Sequence, residues 1–240
     1  MVTKALNEKK IIAVKNVGGC TNFGGLDIVG SKMYTIKTKS TNKLSYISMY
    51  KNYKKTSRTN HKFANCMNHG NGITYANGHL YIATCESYIT VVNTSTWKHV
   101  VLKSPYFSSI AHVSGNQFVA GSGGGDYHKL SLIEIANGKV EVKKKWTVKN
   151  PKYTSGYTVT QDIGYNKTNG CVYLIYTKNN YRTNIILRAK LYATEPDVCY
   201  TTKTSSSGKY EVESIAFTSS GKAVIGMNLP SGKDSTFSAL

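Results

Sequence analysis

The sequence predicts an all-β fold, namely a single five-bladed β-propeller with four strands in each blade. Three observations support this prediction. One hairpin motif recurs five times, the recurrence has the period of a propeller blade, and a strand near the N-terminus supplies the one strand that the fifth copy lacks. Helical periodicity is weak and no Pro/Ser-rich linker interrupts the chain, which favours one domain over residues 1–240.

The recurring motif is clearest in residues 68–84, NHGNGITYANGHLYIAT, where an Asn-Gly turn joins two strands rich in β-branched and aromatic residues. The same pattern occurs in four more places, and the five copies align on one isoleucine each: Ile28, Ile73, Ile110, Ile163 and Ile215. Successive isoleucines are 45, 37, 53 and 52 residues apart. This spacing matches the length of a four-stranded propeller blade.

Each copy leaves room for two further strands, except the last, which reaches Leu240 after three strands. Residues 11–17, IIAVKNV, form a strand that precedes the first copy, and we expect it to fill the outer position of the last blade. Closure of the ring removes the exposed sheet edges that promote aggregation. The predicted blades span residues 18–65, 66–104, 105–150, 151–204, and 205–240 together with 11–17. A β-sandwich or an open series of hairpins would explain neither the recurrence nor the additional strand.

The charge of the chain is strongly positive, with 31 Lys and Arg against 12 Asp and Glu and a formal net charge of +19. Such a charge favours polyanionic partners such as phosphate-bearing wall polymers. The abundance of Lys, Asn, Tyr, Thr and Ile, which AT-rich codons encode, is an equally good explanation. The basic stretches 51–62 and 139–152 fall on predicted outer strands, so nucleic acid is a less favoured partner than a surface polysaccharide, anionic or neutral.

The sequence predicts no membrane span, because it has no apolar run of about 18 residues. The first 17 residues also lack the apolar core and cleavage site of a signal peptide. The localisation is therefore open, with an extracellular, cell-surface or virion-associated protein favoured.

No motif indicates a metal or a cofactor. The five cysteines include no CxxC pair, and the six histidines show no metal-ligand spacing. The glycine-rich residues 121–126 are not followed by the Lys-Ser/Thr pair of a phosphate-binding loop. We therefore expect no cofactor, no metal site, and cysteines that are free and buried.

One face of the predicted propeller is a candidate binding surface. The loops that enter the first strand of each blade share this face with the loops between the second and third strands. Aromatic rings interleaved with amides and a few charges suit sugars, which present apolar ring faces and hydroxyl edges. We predict ligand contacts, by stacking of the aromatic rings and hydrogen bonds from the other residues, at His69, Asn71, Tyr106, Tyr127, Gln161, Asp162 and Tyr181.

Three carboxylates near the axis, Asp27, Asp162 and Glu213, suggest an alternative function as a glycoside hydrolase. That chemistry needs two carboxyl groups roughly 5–9.5 Å apart. The second and third blades carry Asn71 and Ser108 at the comparable positions, a departure from five-bladed glycosidases. The first prediction is therefore a binding module that is not an enzyme. A third possibility is a protein-interaction or virion scaffold.

The hairpin of residues 68–84 and its recurrences resemble propeller repeats in surface and phage proteins of low-GC Gram-positive bacteria. In particular, they resemble the five-bladed propeller platform in receptor-binding proteins of staphylococcal phages. The resemblance implies a noncatalytic module that attaches to a wall glycopolymer and assembles as a homo-oligomer or with other virion proteins. Wall teichoic acid is a glycosylated polyphosphate, which would suit both the aromatic loops and the positive charge.

Overall fold

The computed structural model describes residues 1–123 and 127–240, with Tyr127 and Ser231 described at the backbone alone. This part of the chain contains 21 strands and two three-residue 3-10 helices, Tyr153–Ser155 and Pro230–Gly232. The strands form five separate sheets. The predicted all-β fold of five four-stranded blades is confirmed.

The strands follow the blades in chain order. Two N-terminal strands come first, β1 (Val2–Ala5) and β2 (Lys9–Ala13). The first blade contains β3 (Asn22–Val29), β4 (Lys32–Thr38), β5 (Leu44–Tyr50) and β6 (Arg58–Ala64). The second contains β7 (Gly72–Ala76), β8 (His79–Ala83), β9 (Glu86–Asn93) and β10 (His99–Phe107). The third contains β11 (Ser109–Ser114), β12 (Gln117–Ser122), β13 (Tyr127–Ala136) and β14 (Lys139–Lys149).

The last two blades use the N-terminal strands as well. The fourth contains β15 (Tyr157–Asn166), β16 (Cys171–Lys178), β17 (Asn184–Lys190) and β18 (Val198–Thr201), with β1 added at its outer edge. The fifth contains β19 (Glu211–Phe217), β20 (Ala223–Asn228), β21 (Ser235–Ser238) and, outermost, β2. In every blade the strand that carries the aligned isoleucine is the innermost one.

The five innermost strands form a closed ring around the axis. β3 contacts β7, β7 contacts β11, β11 contacts β15, β15 contacts β19, and β19 returns to β3. The predicted Asn-Gly turns are also present. Both residues of the Asn77-Gly78 turn and of the Asn137-Gly138 turn have positive φ, as a type I′ hairpin turn requires.

The N-terminal strand closes the ring as predicted. β2 pairs antiparallel with β21, with Lys9 opposite Ser238 and Ala13 opposite Ser235. The strand covers residues 9–13 rather than 11–17, because from Val14 onward the chain leaves the sheet and crosses toward the first blade. A buried ion pair joins the first blade to the fifth at this closure. Lys37 Nζ, on β4, lies 2.5 Å from Oδ2 of Asp234, which directly precedes β21.

Strand β1 is a feature that the sequence does not predict. It pairs parallel with β18, with Val2 opposite Val198 and Ala5 opposite Thr201, so the fourth sheet has five strands. All four residues of β1 are exposed. A strand with no buried side leaves no alternation of apolar and polar residues in the sequence.

The hydrophobic core is divided into five clusters, one between each pair of neighbouring blades. Near the axis, glycine allows the innermost strands to converge. A Cβ at Gly72 would lie 2.6 Å from Asp162 Oδ1, and one at Gly164 would lie 2.6 Å from the carbonyl oxygen of Ile215. All five cysteines are free, and four of them are buried. Among the described residues, no helix has the length and apolar character that a membrane crossing requires.

Candidate functional site

A pocket of about 390 Å³ opens on the face where the innermost strands begin, and we call it the axial pocket. It collects side chains from all five blades, since each blade directs its entering loop to the axis. Its lining consists of Asn22, His69, Asn71, Cys85, Tyr106, Ser108, Gly123, Val159, Thr160, Gln161, Tyr181, Lys209, Glu211 and Glu213.

The residues predicted for ligand binding converge on this pocket with two exceptions. His69, Asn71, Tyr106, Gln161 and Tyr181 line it. Asp162 instead lies on the axis beneath the pocket, 1% exposed. The side chain of Tyr127 lies outside the described part of the chain. That the five lining residues bind a ligand stays a prediction.

The three carboxylates of the glycoside hydrolase alternative lie at different positions along the propeller axis. Glu213 lines the axial pocket. Asp27 lines a second cavity on the opposite face, at the other ends of the innermost strands. Asp162 is buried among the innermost strands, and its Oδ1 has no hydrogen-bond partner among the described residues. The structure therefore does not bring Asp27, Asp162 and Glu213 to one pocket.

A cluster of three charged residues, Lys209, Glu211 and Glu213, forms one wall of the axial pocket. Lys209 Nζ lies 2.5 Å from Glu211 Oε2 and 3.9 Å from Glu213 Oε1. Gln161 donates a 2.6 Å hydrogen bond to Glu211 Oε1, and Asn228 donates one of 2.9 Å to Glu213 Oε1. Both carboxylates are buried, whereas the lysine side chain is 39% exposed.

The surroundings of Glu213 favour its protonated form. Burial raises the pKa of Glu213 well above its ordinary value, and the charge and hydrogen bond of Glu211 raise it further. Burial lowers the pKa of Lys209, but its hydrogen bond to Glu211 and the charges of both carboxylates outweigh that effect and raise it. The cluster therefore favours a protonated Glu213 beside an ion-paired Glu211 and Lys209. Two carboxyl groups in contact typically share one proton in this way.

A β-bulge interrupts the pairing of β19 beside the two carboxylates. Val212 pairs with Met227 and Ser214 with Gly226, so Glu213 is an extra residue opposite the partner strand. Val212 and Ile215 consequently pack into one hydrophobic cluster although they are three residues apart. Bulges commonly redirect a side chain at functional sites.

Sequence reasoning missed Lys209 and Glu211. The signal that would have revealed them is the two-residue spacing in KYEVE, residues 209–213. Residues two apart in a strand point to the same side, so a lysine and two glutamates at this spacing would meet on one face.

The rest of the pocket is neutral, polar and aromatic. Burial lowers the pKa of His69, which favours the uncharged imidazole. Burial raises the pKa of the Cys85 thiol to about 11, which keeps it protonated. Asn71 is held in place by a 2.9 Å hydrogen bond from Nδ2 to the Ser108 carbonyl oxygen. Tyr106 and Tyr181 remain 48% and 43% exposed, so two aromatic rings stand at the mouth of the pocket.

No protein-family profile matches this sequence, and no curated protein matches it. Solved structures match the fold. The glutaminyl cyclase of Myxococcus xanthus aligns with a TM-score of 0.66 and 13% identity over 100% of this chain and 97% of that one. A proposed oxidoreductase (glucose dehydrogenase) of Thermus thermophilus aligns with a TM-score of 0.50 and 10% identity, covering 98% of this chain and 100% of that one.

The similarity to the glutaminyl cyclase corrects one prediction. The chain was predicted not to be an enzyme, and that prediction is wrong as an inference from the fold, because the glutaminyl cyclase is an enzyme with the same five-bladed fold. At 13% identity, the similarity shows the five-bladed propeller fold and does not transfer the reaction.

Proposed function

We propose that this protein is an enzyme whose active site is the axial pocket, and that it cyclises N-terminal glutaminyl residues with release of ammonia. The observation that carries the proposal is the position of Glu211 and Glu213 beside Lys209, within an open pocket on the axis. The similarity of fold to a glutaminyl cyclase suggests which acid–base reaction to consider first.

The reaction requires one proton to be removed and another to be supplied. The substrate's α-amino group loses a proton and attacks the carbonyl carbon of its own side-chain amide, forming a C–N bond. The amide nitrogen then gains a proton, its C–N bond breaks, and ammonia leaves. One group that accepts a proton and one that donates a proton are therefore needed within reach of the same substrate.

The two glutamates can provide both functions. The ion-paired Glu211 would accept the proton that the uncharged α-amino group loses as it attacks, and the protonated Glu213 would donate its proton to the departing nitrogen. Proton transfer between the two neighbouring carboxyl groups would then return the proton from Glu211 to Glu213. The pair begins and ends each turnover with one proton, so no other proton donor is required.

Lys209 is positioned to stabilise the charge that develops during attack. The carbonyl oxygen of the amide becomes negative in the tetrahedral intermediate, and a nearby ammonium lowers the free energy of that state. Lys209 lines the pocket beside both carboxylates, and its raised pKa favours the charged form. The exposed rings of Tyr106 and Tyr181 would cover the substrate's side chain at the pocket mouth.

The test measures ammonia release from a peptide with N-terminal glutamine, with product mass recorded in parallel. We expect Glu213→Gln to lower kcat/KM by about 100-fold or more, which is the usual contribution of a general acid. Glu141→Gln removes an exposed carboxylate on β14 and is the matched control, with an unchanged rate expected. Absence of ammonia release by the wild-type protein, or an unaffected Glu213→Gln variant, would contradict the proposal.

A second candidate function is recognition of an anionic surface glycan by the same face. The observation that favours it is the pair of exposed tyrosines, together with Lys209 Nζ 5.6 Å from the centre of the Tyr181 ring. The resemblance to the propeller platform of phage receptor-binding proteins also favours it, and such a ligand would place the protein at a cell surface or on a virion.

Binding to purified teichoic acid and to a neutral glycan, at low and high salt, tests this candidate. We expect saturable binding that weakens with salt and decreases about tenfold in Tyr181→Ala, a loss of ~1.4 kcal/mol. Tyr192→Ala is the control, because Tyr192 is comparably exposed at the periphery of the fourth blade, beside Trp146. Equal binding by the two variants would exclude this surface as the glycan site.

A further inference from the structure

A second cavity, of about 420 Å³, lies on the face opposite the axial pocket, and we call it the opposite-face cavity. Its lining comes from the ends of the innermost strands and the turns that follow them, including Val29, Asn77 and Phe217. The axial pocket is lined by residues at the starts of the same strands. The two sites are therefore separated by the length of the innermost strands.

The cavity contains a carboxyl group, Asp27, that forms no direct ion pair, although burial raises its pKa and the charge of Lys167 across the cavity partly offsets that rise. Oδ1 accepts a hydrogen bond from the Ile28 amide at 2.7 Å, and Oδ2 accepts bonds from the Tyr75 amide at 2.6 Å and the Thr74 hydroxyl at 3.0 Å. Each carboxylate oxygen can accept two bonds, so Oδ1 has capacity for one more donor. Among the described residues, no Lys, Arg or His side chain forms an ion pair with Asp27.

The same cavity contains an ammonium group, Lys167, that has no acidic partner. Lys167 Nζ donates a 2.9 Å hydrogen bond to His112 Nδ1, and His112 Nε2 lies 3.0 Å from the Gly115 carbonyl oxygen. This arrangement requires the neutral imidazole with its hydrogen on Nε2. His112 therefore adds no second positive charge beside Lys167. In the described part of the chain, Lys167 forms no ion pair.

We propose that the opposite-face cavity binds a small molecule that carries one ammonium and one anionic group. The ammonium would lie against Asp27 and the anionic group against Lys167, so that each charge of the protein gains the partner that it lacks. The side chains of Tyr75 and Phe217 also line the cavity and would pack against the carbon chain between the two groups. The volume is within the range of small-molecule sites.

Free amino acids and amino-phosphates share this chemistry, and probes of both kinds distinguish them. The full chain would be titrated calorimetrically with glycine, β-alanine and phosphoethanolamine, and with acetate, ethylamine and inorganic phosphate, which each carry one group only. We expect saturable one-site binding of at least one two-charge probe, and binding of the one-charge probes weaker by about tenfold or more. Saturation by phosphoethanolamine alone would identify an amino-phosphate, and saturation by glycine or β-alanine would identify an amino acid.

Lys167→Gln is the decisive variant, because Lys167 is exposed and its replacement leaves the Asp27 contacts intact. We expect it to weaken binding of the two-charge probes by about tenfold, while Lys139→Gln, on the edge of the third blade, leaves binding unchanged. Asp27→Asn should also weaken binding, although Asp27 joins two blades and its loss can reduce folding. Lack of saturable binding by every two-charge probe, equal binding of a one-charge probe, or wild-type affinity in Lys167→Gln would overturn the proposal. Because Lys167 is remote from the axial pocket, failure here is distinguishable from failure of the proposed cyclase.

Discussion

The cost of burying Asp27 predicts how the stability of this protein changes with pH. Burial raises the pKa of Asp27 from 3.8 to about 6, and hydrogen bonds from Tyr75, Ile28 and Thr74 only partly offset it. At ~1.4 kcal/mol per pKa unit, this shift corresponds to about 3 kcal/mol. Because Asp27 is only partly buried and lines a cavity, this figure is an upper limit.

The sign follows from the direction of the shift. A carboxyl group whose pKa is higher in the folded state stabilises the fold below its unfolded pKa and loses that contribution as the pH rises through the folded pKa. The contribution of Asp27 is therefore complete below pH 3.8 and is lost by the time the pH has passed 6. The fold thus favours the protonated carboxyl up to about pH 6, and the carboxylate predominates above that pH.

Urea unfolding of the wild-type protein and Asp27→Asn at several pH values measures this contribution. Other buried carboxyl groups titrate in both proteins, so the difference between the two free energies of unfolding isolates Asp27. We expect the wild type to lose up to about 3 kcal/mol relative to Asp27→Asn between about pH 4 and about pH 7.5. A difference that is constant with pH, or that changes in the opposite direction, would refute the reasoning.

Three further predictions concern the axis, the ring closure and the additional strand. Gly72→Ala should lower the free energy of unfolding by about 2 kcal/mol in urea, because its Cβ would lie 2.6 Å from Asp162 Oδ1; an unchanged midpoint would contradict this. Lys37→Met should cost about 3–5 kcal/mol by leaving Asp234 buried without its partner, and Lys37→Met with Asp234→Leu should recover part of that loss; a double variant as unstable as the single one would argue against it. Deletion of residues 1–5 should lower the free energy of unfolding by about 1 kcal/mol or less, because β1 is exposed. The same deletion should increase amide hydrogen exchange in β18, and unchanged exchange there would show that β1 does not protect that edge.

The architecture could be predicted because its causes are local and repeated. Each blade begins with a hairpin whose turn and strand residues have strong preferences, and five aligned isoleucines mark the innermost strands. The fifth copy of the repeat has only three strands in sequence. Its missing outer strand therefore indicated that residues near the N-terminus close the ring. Strand β1 could not be found in this way, because it attaches through backbone hydrogen bonds and buries no side of its own.

The candidate site could be predicted only in part. The sequence indicates which residues lie in loops on one face, but it does not show to which face each side chain on an innermost strand points. The loops correctly indicated His69, Asn71 and Tyr181 as neighbours. Asp27 and Glu213 both lie shortly before an aligned isoleucine, yet their side chains reach opposite faces of the propeller. Glu213 lies at the bulge of β19, two residues before Ile215, and lines the axial pocket, whereas Asp27 lies directly before Ile28 and lines the opposite-face cavity. A bulge depends on pairing with the neighbouring strand, which no spacing within one segment reveals.

The pairing of β2 with β21 has a consequence for synthesis of the protein on the ribosome. Residues 9–13 emerge more than two hundred residues before their partners, residues 235–238. During that interval the nascent chain is an open arc with an unpaired strand at each end, and such strands are prone to associate with other chains. Closure of the ring is then a late event that follows translation of β21. Cells that express this protein would have to protect the arc until that event, and truncation before residue 235 would leave it permanently open.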